Sequence, residues 1–289
     1  LSALIIVGMS STTQKANIAK SQVFANSLRN SLMSDMVSEW KLDGNTTDTW
    51  AASYANNGTW SGPTAPNTVA TYGTASECVS GQCMDFDGVD DMVNCGNNAS
   101  LSMGTKDHTV SLWVNFDNAT APQLETLVNC HDTGGGTGTN AGYWVRRYTG
   151  TSQLYVTFSD GILASTGDYL SPANSLVANN WYNIVVVFDR DASAQAYING
   201  LKQSSSLTIS TRTGAVQNTT SYKIGAVGSN YYRLAGKLDE IRIFHALTSI
   251  SRIQQNYLAG INKLMAKGEI SALDYQNRLA ELSISSAQN

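Results

Sequence analysis

NNWYNIVVVFDRDASAQAYINGLK, residues 179–202, decides how the middle of the chain is read. Trp181 to Phe188 is an apolar, β-branched run, and residues 194–198 alternate apolar with polar. Asn199-Gly200 then separates AQAYI from LKQ. Both central positions of a type I′ hairpin turn need φ > 0, which Asn and Gly tolerate best, so this stretch predicts two strands and a tight reversal into a third. The same pattern recurs on either side: VSEWKL (37–42), QCMDFD (82–87), DMVNC (91–95), TVSLWVNF (109–116), ETLVNC, YWVRR, QLYVTFSD, YKIG and KLDEIRIF. About eleven such strands with no helices between them predict an antiparallel sandwich, because parallel strands need crossover connections that are usually helical.

The ends have a different period. Residues 1–38 contain no proline and one glycine, Gly8. Phe24, Leu28, Leu32 and Met36 recur every fourth residue, the signature of one apolar helix face, expected to pack against the head. A continuous helix over this stretch would be roughly 55 Å long. Its tip, LSALIIVGM, places Leu1, Leu4, Ile5, Ile6, Val7 and Met9 ahead of every charge in the segment. Nine residues are too few to cross a hydrocarbon core, which takes about 20. An apolar tip of this kind reads as a surface for association with other copies. Beyond Phe244 a second helical region predicts a hairpin: Thr248 or Ser249 caps the first helix, Gly268 ends it and Ser271 caps the second. The expected units are therefore 1–38, 39–247 and 248–289.

Composition narrows the partners. Charged residues are 14% of the 289, and the formal net charge is −4 without a Lys/Arg cluster, which excludes nucleic acid as the expected partner. Four cysteines, Cys78, Cys83, Cys95 and Cys130, in a Ser/Thr/Asn/Gly-rich chain point to an extracellular setting with disulfides. Cys78 and Cys83 bracket a turn-like VSGQ and are the expected pair. Cys95 with Cys130 is a second pairing, with two buried free thiols the alternative. Three histidines in no ligand spacing argue against zinc. Asp87, Asp90 and Asp91 form an acidic cluster that also reads as a tight turn.

Two resemblances then emerge. MDFDGVDDMVNCGNNASL, HTVSLWVNF, NNWYNIVVVFDRDASAQAYINGLK and LAGKLDEIRIFHALTSISRIQQNY, in that order, resemble the laminin-G-like (concanavalin A-like) jelly roll. LSALIIVGMSSTTQKANIAK resembles the stalk helix of type IV pilins and pseudopilins as its apolar half gives way to its polar half. The combination implies an extracellular filament subunit that packs its helices with copies of itself and displays the jelly roll outward. Such a subunit meets a membrane only before assembly. The jelly-roll resemblance also implies a structural Ca²⁺ held by Asp48, Asn56 and Asp239. The competing reading is a secreted or cell-surface carbohydrate-binding adhesin, with Tyr143, Trp144 and Tyr148 beside the Gly-rich stretch 131–142 as glycan-facing aromatics. Neither reading includes catalysis or an organic cofactor. No E-x-D-x-x-E run supplies paired carboxylates, and no G-x-S-x-G, P-loop or H-E-x-x-H occurs. Asp239 and Glu240, adjacent in LDEIR, are expected on opposite sheet faces.

Overall fold

The computed structural model describes residues 35–50, 56–64, 66, 68–117, 124–131, 141–161, 167–216, 221–227 and 232–287. Fifteen strands among them form two antiparallel sheets. One sheet begins with β13 (Leu201–Thr208), β12 (Ser193–Ile198), β11 (Trp181–Phe188) and β6 (His108–Phe116). It continues through β15 (Ala235–Phe244), β4 (Cys83–Asp87) and β3 (Thr71–Gly73), and β1 (Met36–Trp40) also pairs with β15. The other sheet starts from β10 (Gly167–Leu170), β9 (Gln153–Ser159), β8 (Gly142–Tyr148) and β7 (Leu124–Asn129). It ends with β14 (Lys223–Ile224), β5 (Met92–Asn94) and β2 (Thr59–Ser61). The alternation, turns and absence of crossover helices thus produce the expected sandwich.

The central strand explains its own sequence. Ile184, Val186 and Phe188 enter the core between the sheets, beside Val110, Leu112 and Val114 of β6. Val185 and Val187 face the other way and pack on Ile253 of α1 (Ile250–Lys267). The run is apolar without alternation because both faces are covered, and each such side chain contributes about 1.5–3 kcal/mol on burial. At the turn Asn199 and Gly200 have φ of 54° and 77°, and Ile198 pairs with Leu201, as the type I′ reading requires.

In the C-terminal hairpin, α1 and α2 (Ala272–Ala287), Ser249 stands at the N-cap of α1 without a side-chain capping bond, whereas the stop and the second cap are as expected. Gly268 takes φ 85° and donates its N–H to the last turn, and Ser271 Oγ accepts from Asp274 N at 3.0 Å. The hairpin lies on the outer face of its own eight-stranded sheet. There Tyr257, Ile261, Leu264 and Leu282 share a cluster with Trp113 and Trp181. Among the described residues no helix is long and apolar enough to cross a membrane.

Leu1, Leu4, Ile5, Ile6, Val7, Met9, Phe24, Leu28 and Leu32 lie outside the described residues. Met36 does not belong to a helix face. It opens β1 opposite Phe244, because the edge of β15 offers Met36–Trp40 a ladder and a buried slot for Trp40. Cys78 and Cys83 form a disulfide. Cys95 and Cys130 are buried and outside any disulfide. Lys223 of β14 pairs with Asn94 on one side and Asn129 on the other, so a whole strand separates the cysteines that follow those two residues. Two ladder spacings are about 9.5 Å, beyond the roughly 7 Å that a disulfide reaches.

Candidate functional site

Directly opposed residues in an antiparallel ladder share a sheet face. Across β8, β9 and β10 the outward rows are therefore Trp144–Thr157–Asp168, Arg146–Tyr155–Leu170 and Tyr148–Gln153. Tyr143, Val145, Leu154, Val156 and Phe158 fill the inward rows. The outward rows make one connected surface. The Arg146 guanidinium lies 3.9 Å from the Trp144 ring and 4.5 Å from the Tyr155 ring, held between two aromatic faces. Its Nη2 donates to Thr157 Oγ1 at 2.6 Å, and that hydroxyl donates to Asp168 Oδ1 at 2.8 Å. Burial pulls Arg146 down to about 10, with Tyr155 and then Asp168 acting against it, so the group stays cationic at neutral pH. Burial also raises Tyr155, and the neighbouring Asp168 charge adds to that.

Trp144 and Arg146 are buried, Tyr148 and Tyr155 are half-exposed, and Asp168 and Leu170 are open to solvent. The base is thus enclosed and the top is accessible. An aromatic face beside a fixed carboxylate and a polar row is suited to a polyhydroxylated ring, which stacks its C–H face and donates hydroxyls to the acceptor.

The jelly-roll motifs and this two-sheet architecture coincide with a family match. The model of the concanavalin A-like lectin/glucanase superfamily matches residues 87–254, more than half of the 289. The chain belongs to that superfamily. Solved members of this fold resemble it at low identity. The binding domain of Paraclostridial mosquitocidal protein 1 is 16% identical with a TM-score of 0.62, over 79% of this chain and 53% of that one. The botulinum neurotoxin serotype D ligand-binding domain, solved in complex with N-acetylneuraminic acid, is 14% identical with a TM-score of 0.57, over 80% and 52%. Domain 4 of AbnA, an extracellular arabinanase from Geobacillus stearothermophilus, was solved in complex with arabinotriose. It is 18% identical with a TM-score of 0.54, over 77% of this chain and 98% of the domain. This chain therefore spans about half of each toxin domain but almost all of the arabinanase domain. No curated protein sequence matches it.

Within this lectin-type sandwich the three aromatics expected to face a glycan part company. Tyr143 and Trp144 are adjacent and so point to opposite faces. Tyr143 is 1% exposed and gives its ring to the core, with its hydroxyl 2.9 Å from His108 Nε2. Trp144 and Tyr148 remain on the outer face. Arg146, Tyr155, Thr157 and Asp168 were not singled out from the sequence. The period-2 alternation in YWVRRY and QLYVTFS places three of them there, and Asp168 follows only from the β9–β10 register.

The implied Ca²⁺ set does not fit. Both Asp48 oxygens already accept backbone N–H groups, from Glu39 and Trp50 at 3.1 and 3.0 Å and from Asn56 at 3.3 Å. Asn56 is bonded to Ser38 and Ser100. Asp239 lies across β1 from Asp48, where its Oδ2 accepts from Ser80 N and lysines stand nearby. Carboxylate oxygens of Asp87, Asp90 and Asp91 lie within 4.8 Å of one another. They accept N–H groups of Val89, Thr64 and Asp87, the bonding of a turn.

Asp239 and Glu240 also depart from expectation. A bulge between Asp239 and Arg242, with Glu240 at φ 53°, sends both carboxylates to the helix-covered face. Asp239 is fully buried with Oδ2 on Ser80 N, and Glu240 bonds Arg242, so the pair does not flank an open cleft.

His108 gives a testable pH dependence. Burial, then the nearby His245, holds its pKa well below the usual 6.5, so it is neutral when folded and protonates when unfolded. Stability is retained above the unfolded pKa and falls as pH drops below ~6.5, by up to about 1.4 kcal/mol per pH unit from this group. Urea melts between pH 7.5 and 5.5 should show that decline, with a shallower slope in His108→Gln. Equal slopes would remove His108 as its cause.

Proposed function

We propose that the chain is a non-catalytic carbohydrate-binding module of adhesin type, working outside the cell, with its glycan on the outer face of β8–β10. The observation that carries this reading is the Trp144–Arg146–Tyr155 stack joined through Thr157 to the exposed Asp168. The superfamily includes lectins, and the arabinanase domain that shares the fold over nearly its whole length holds arabinotriose, which supports a glycan as the ligand class. The Cys78–Cys83 disulfide supports an oxidising compartment. Against catalysis, Asp168 is the single carboxylate on the described outward rows of β8–β10, and glycoside hydrolysis ordinarily takes two. Self-assembly into a pilus-like filament rests on residues 1–34, outside the described residues, and adhesion replaces it as the principal reading.

The test is a glycan array probed with the intact chain, then with Tyr155→Ala and Asp168→Ala. Both side chains reach solvent, so neither change threatens the core. We expect a defined set of glycans to be retained and each variant to bind about tenfold or more weakly. An array without signal would overturn the function, and undiminished binding by both variants would overturn the site.

A further inference from the structure

A helix lying on a sheet ordinarily seals the contact with apolar side chains, as α1 does at Tyr257, Ile261 and Leu264. On its side towards β1 and β15 α1 leaves a gap. Between it and β1, β6 and β15 lies a cavity of about 270 Å³ whose mixed lining includes six charged side chains. Its apolar part includes Trp113, Val185 and Ile253. Its polar part holds two carboxylates, Glu39 and Glu240, and four cations, Lys41, Arg242, Arg252 and Lys263.

The charges are unevenly satisfied. Glu39 Oε1 takes Arg242 Nε at 2.9 Å, and its Oε2 takes the Thr49 hydroxyl at 2.8 Å. Glu240 bonds the same guanidinium. Both lining carboxylates are thus committed to Arg242. Lys41, Arg252 and Lys263 have no carboxylate at ion-pair distance among the described residues. Lys263 Nζ has only the Ser80 hydroxyl, at 2.9 Å. Burial first, then the Arg242 charge, disfavour its ammonium form, and Lys41 acts in the same sense. Asp239 opposes them from behind the lining, but burial lifts its own pKa well above the usual carboxylate range. Independently, Ser111 is 5% exposed, lines the cavity and has no partner for its buried hydroxyl. A buried, unmatched hydroxyl normally costs about 1–3 kcal/mol. Crowded cations and an unanswered hydroxyl around one space share a single remedy, an acceptor-rich anion.

We propose that this cavity is a second binding site, for a small molecule bearing an oxyanion. Lys263, Lys41 and Arg252 take the carboxylate or phosphate, Ser111 Oγ donates to an oxygen, and Trp113, Val185 and Ile253 receive the carbon skeleton. The site lies on the opposite sheet from the glycan face and does not depend on it.

Isothermal titration of the full chain with inorganic phosphate and, separately, with succinate tests this at constant ionic strength, with glycerol as the neutral control. Saturable binding of phosphate alone identifies a phosphate ligand, of succinate alone a carboxylate, and of both the shared oxyanion chemistry. In each case Lys263→Gln and Arg252→Gln should each weaken binding about tenfold, the loss of one charge-assisted contact. Arg252 is half-exposed and sits on the surface of α1, so its variant retains the fold if Lys263→Gln does not. No saturable binding of either anion, or binding that both variants leave unchanged, would overturn the proposal.

Discussion

Glu125→Ala should destabilise the fold by about 3–5 kcal/mol, whereas Glu125→Leu combined with Arg147→Met should restore most of that loss. Glu125 is fully buried on β7, with Oε2 2.9 Å from Arg147 Nη1 and Oε1 accepting from Ala235 N at 3.3 Å. Arg147 turns inward from β8, its guanidinium 4.7 Å over the Phe116 ring. Burial raises the Glu125 pKa despite the Arg147 charge and hydrogen bond, so desolvation outweighs the attraction. The ion pair is then a poor source of net stability, but one member left alone is a buried, uncompensated charge. Urea denaturation of the single and double variants measures the asymmetry. A double variant as unstable as Glu125→Ala would show that the pair itself stabilises.

Gly260→Val should cost about 3 kcal/mol and unseat the helical hairpin before the sandwich. A Cβ at Gly260 would stand 2.0 Å from Trp113 Cζ2, and the Trp113 ring is 2% exposed and stacked on Tyr257 at 5.8 Å, a contact it would have to give up to make room. Glycine is here a matter of helix-to-sheet distance, not of backbone freedom. Hydrogen exchange should show lost protection along α1 while β6 and β11 keep theirs. On a Trp113→Ala background the same substitution should cost much less, since the clashing ring is gone. Additive losses would place the damage elsewhere.

How far the sequence reveals this molecule depends on whether a feature is local. The Asn199-Gly200 turn, the Gly268 stop and the Ser271 cap are each set by one or two residues and their backbone preferences, and each stands where its chemistry put it. The valine run at 184–187 announces burial on both faces but not by what. The covering element, α1, lies more than sixty residues away, and nothing local in its apolar stripe says which surface it covers. Met36 fits a four-residue helical spacing until the free edge of β15 competes for it. Asp239 and Glu240 obey strand alternation until a bulge, invisible in LDEIR, rotates one of them. The glycan-facing set divides in the same way. Trp144 is legible as an aromatic beside a loop, and Tyr143 is ruled out by alternation alone. Asp168 joins Trp144 only through the registers of two successive ladders.

The central claim, that β8–β10 bear the carbohydrate site, is tested most directly by mapping where a glycan lands. Amide chemical shifts of the isotopically labelled chain should be followed while the strongest ligand from the array is titrated in. Saturable changes centred on Trp144, Arg146, Tyr155 and Asp168 are expected, with β1, β15 and α1 undisturbed. Changes confined to the helix-covered sheet, or to residues outside β8–β10, would contradict it.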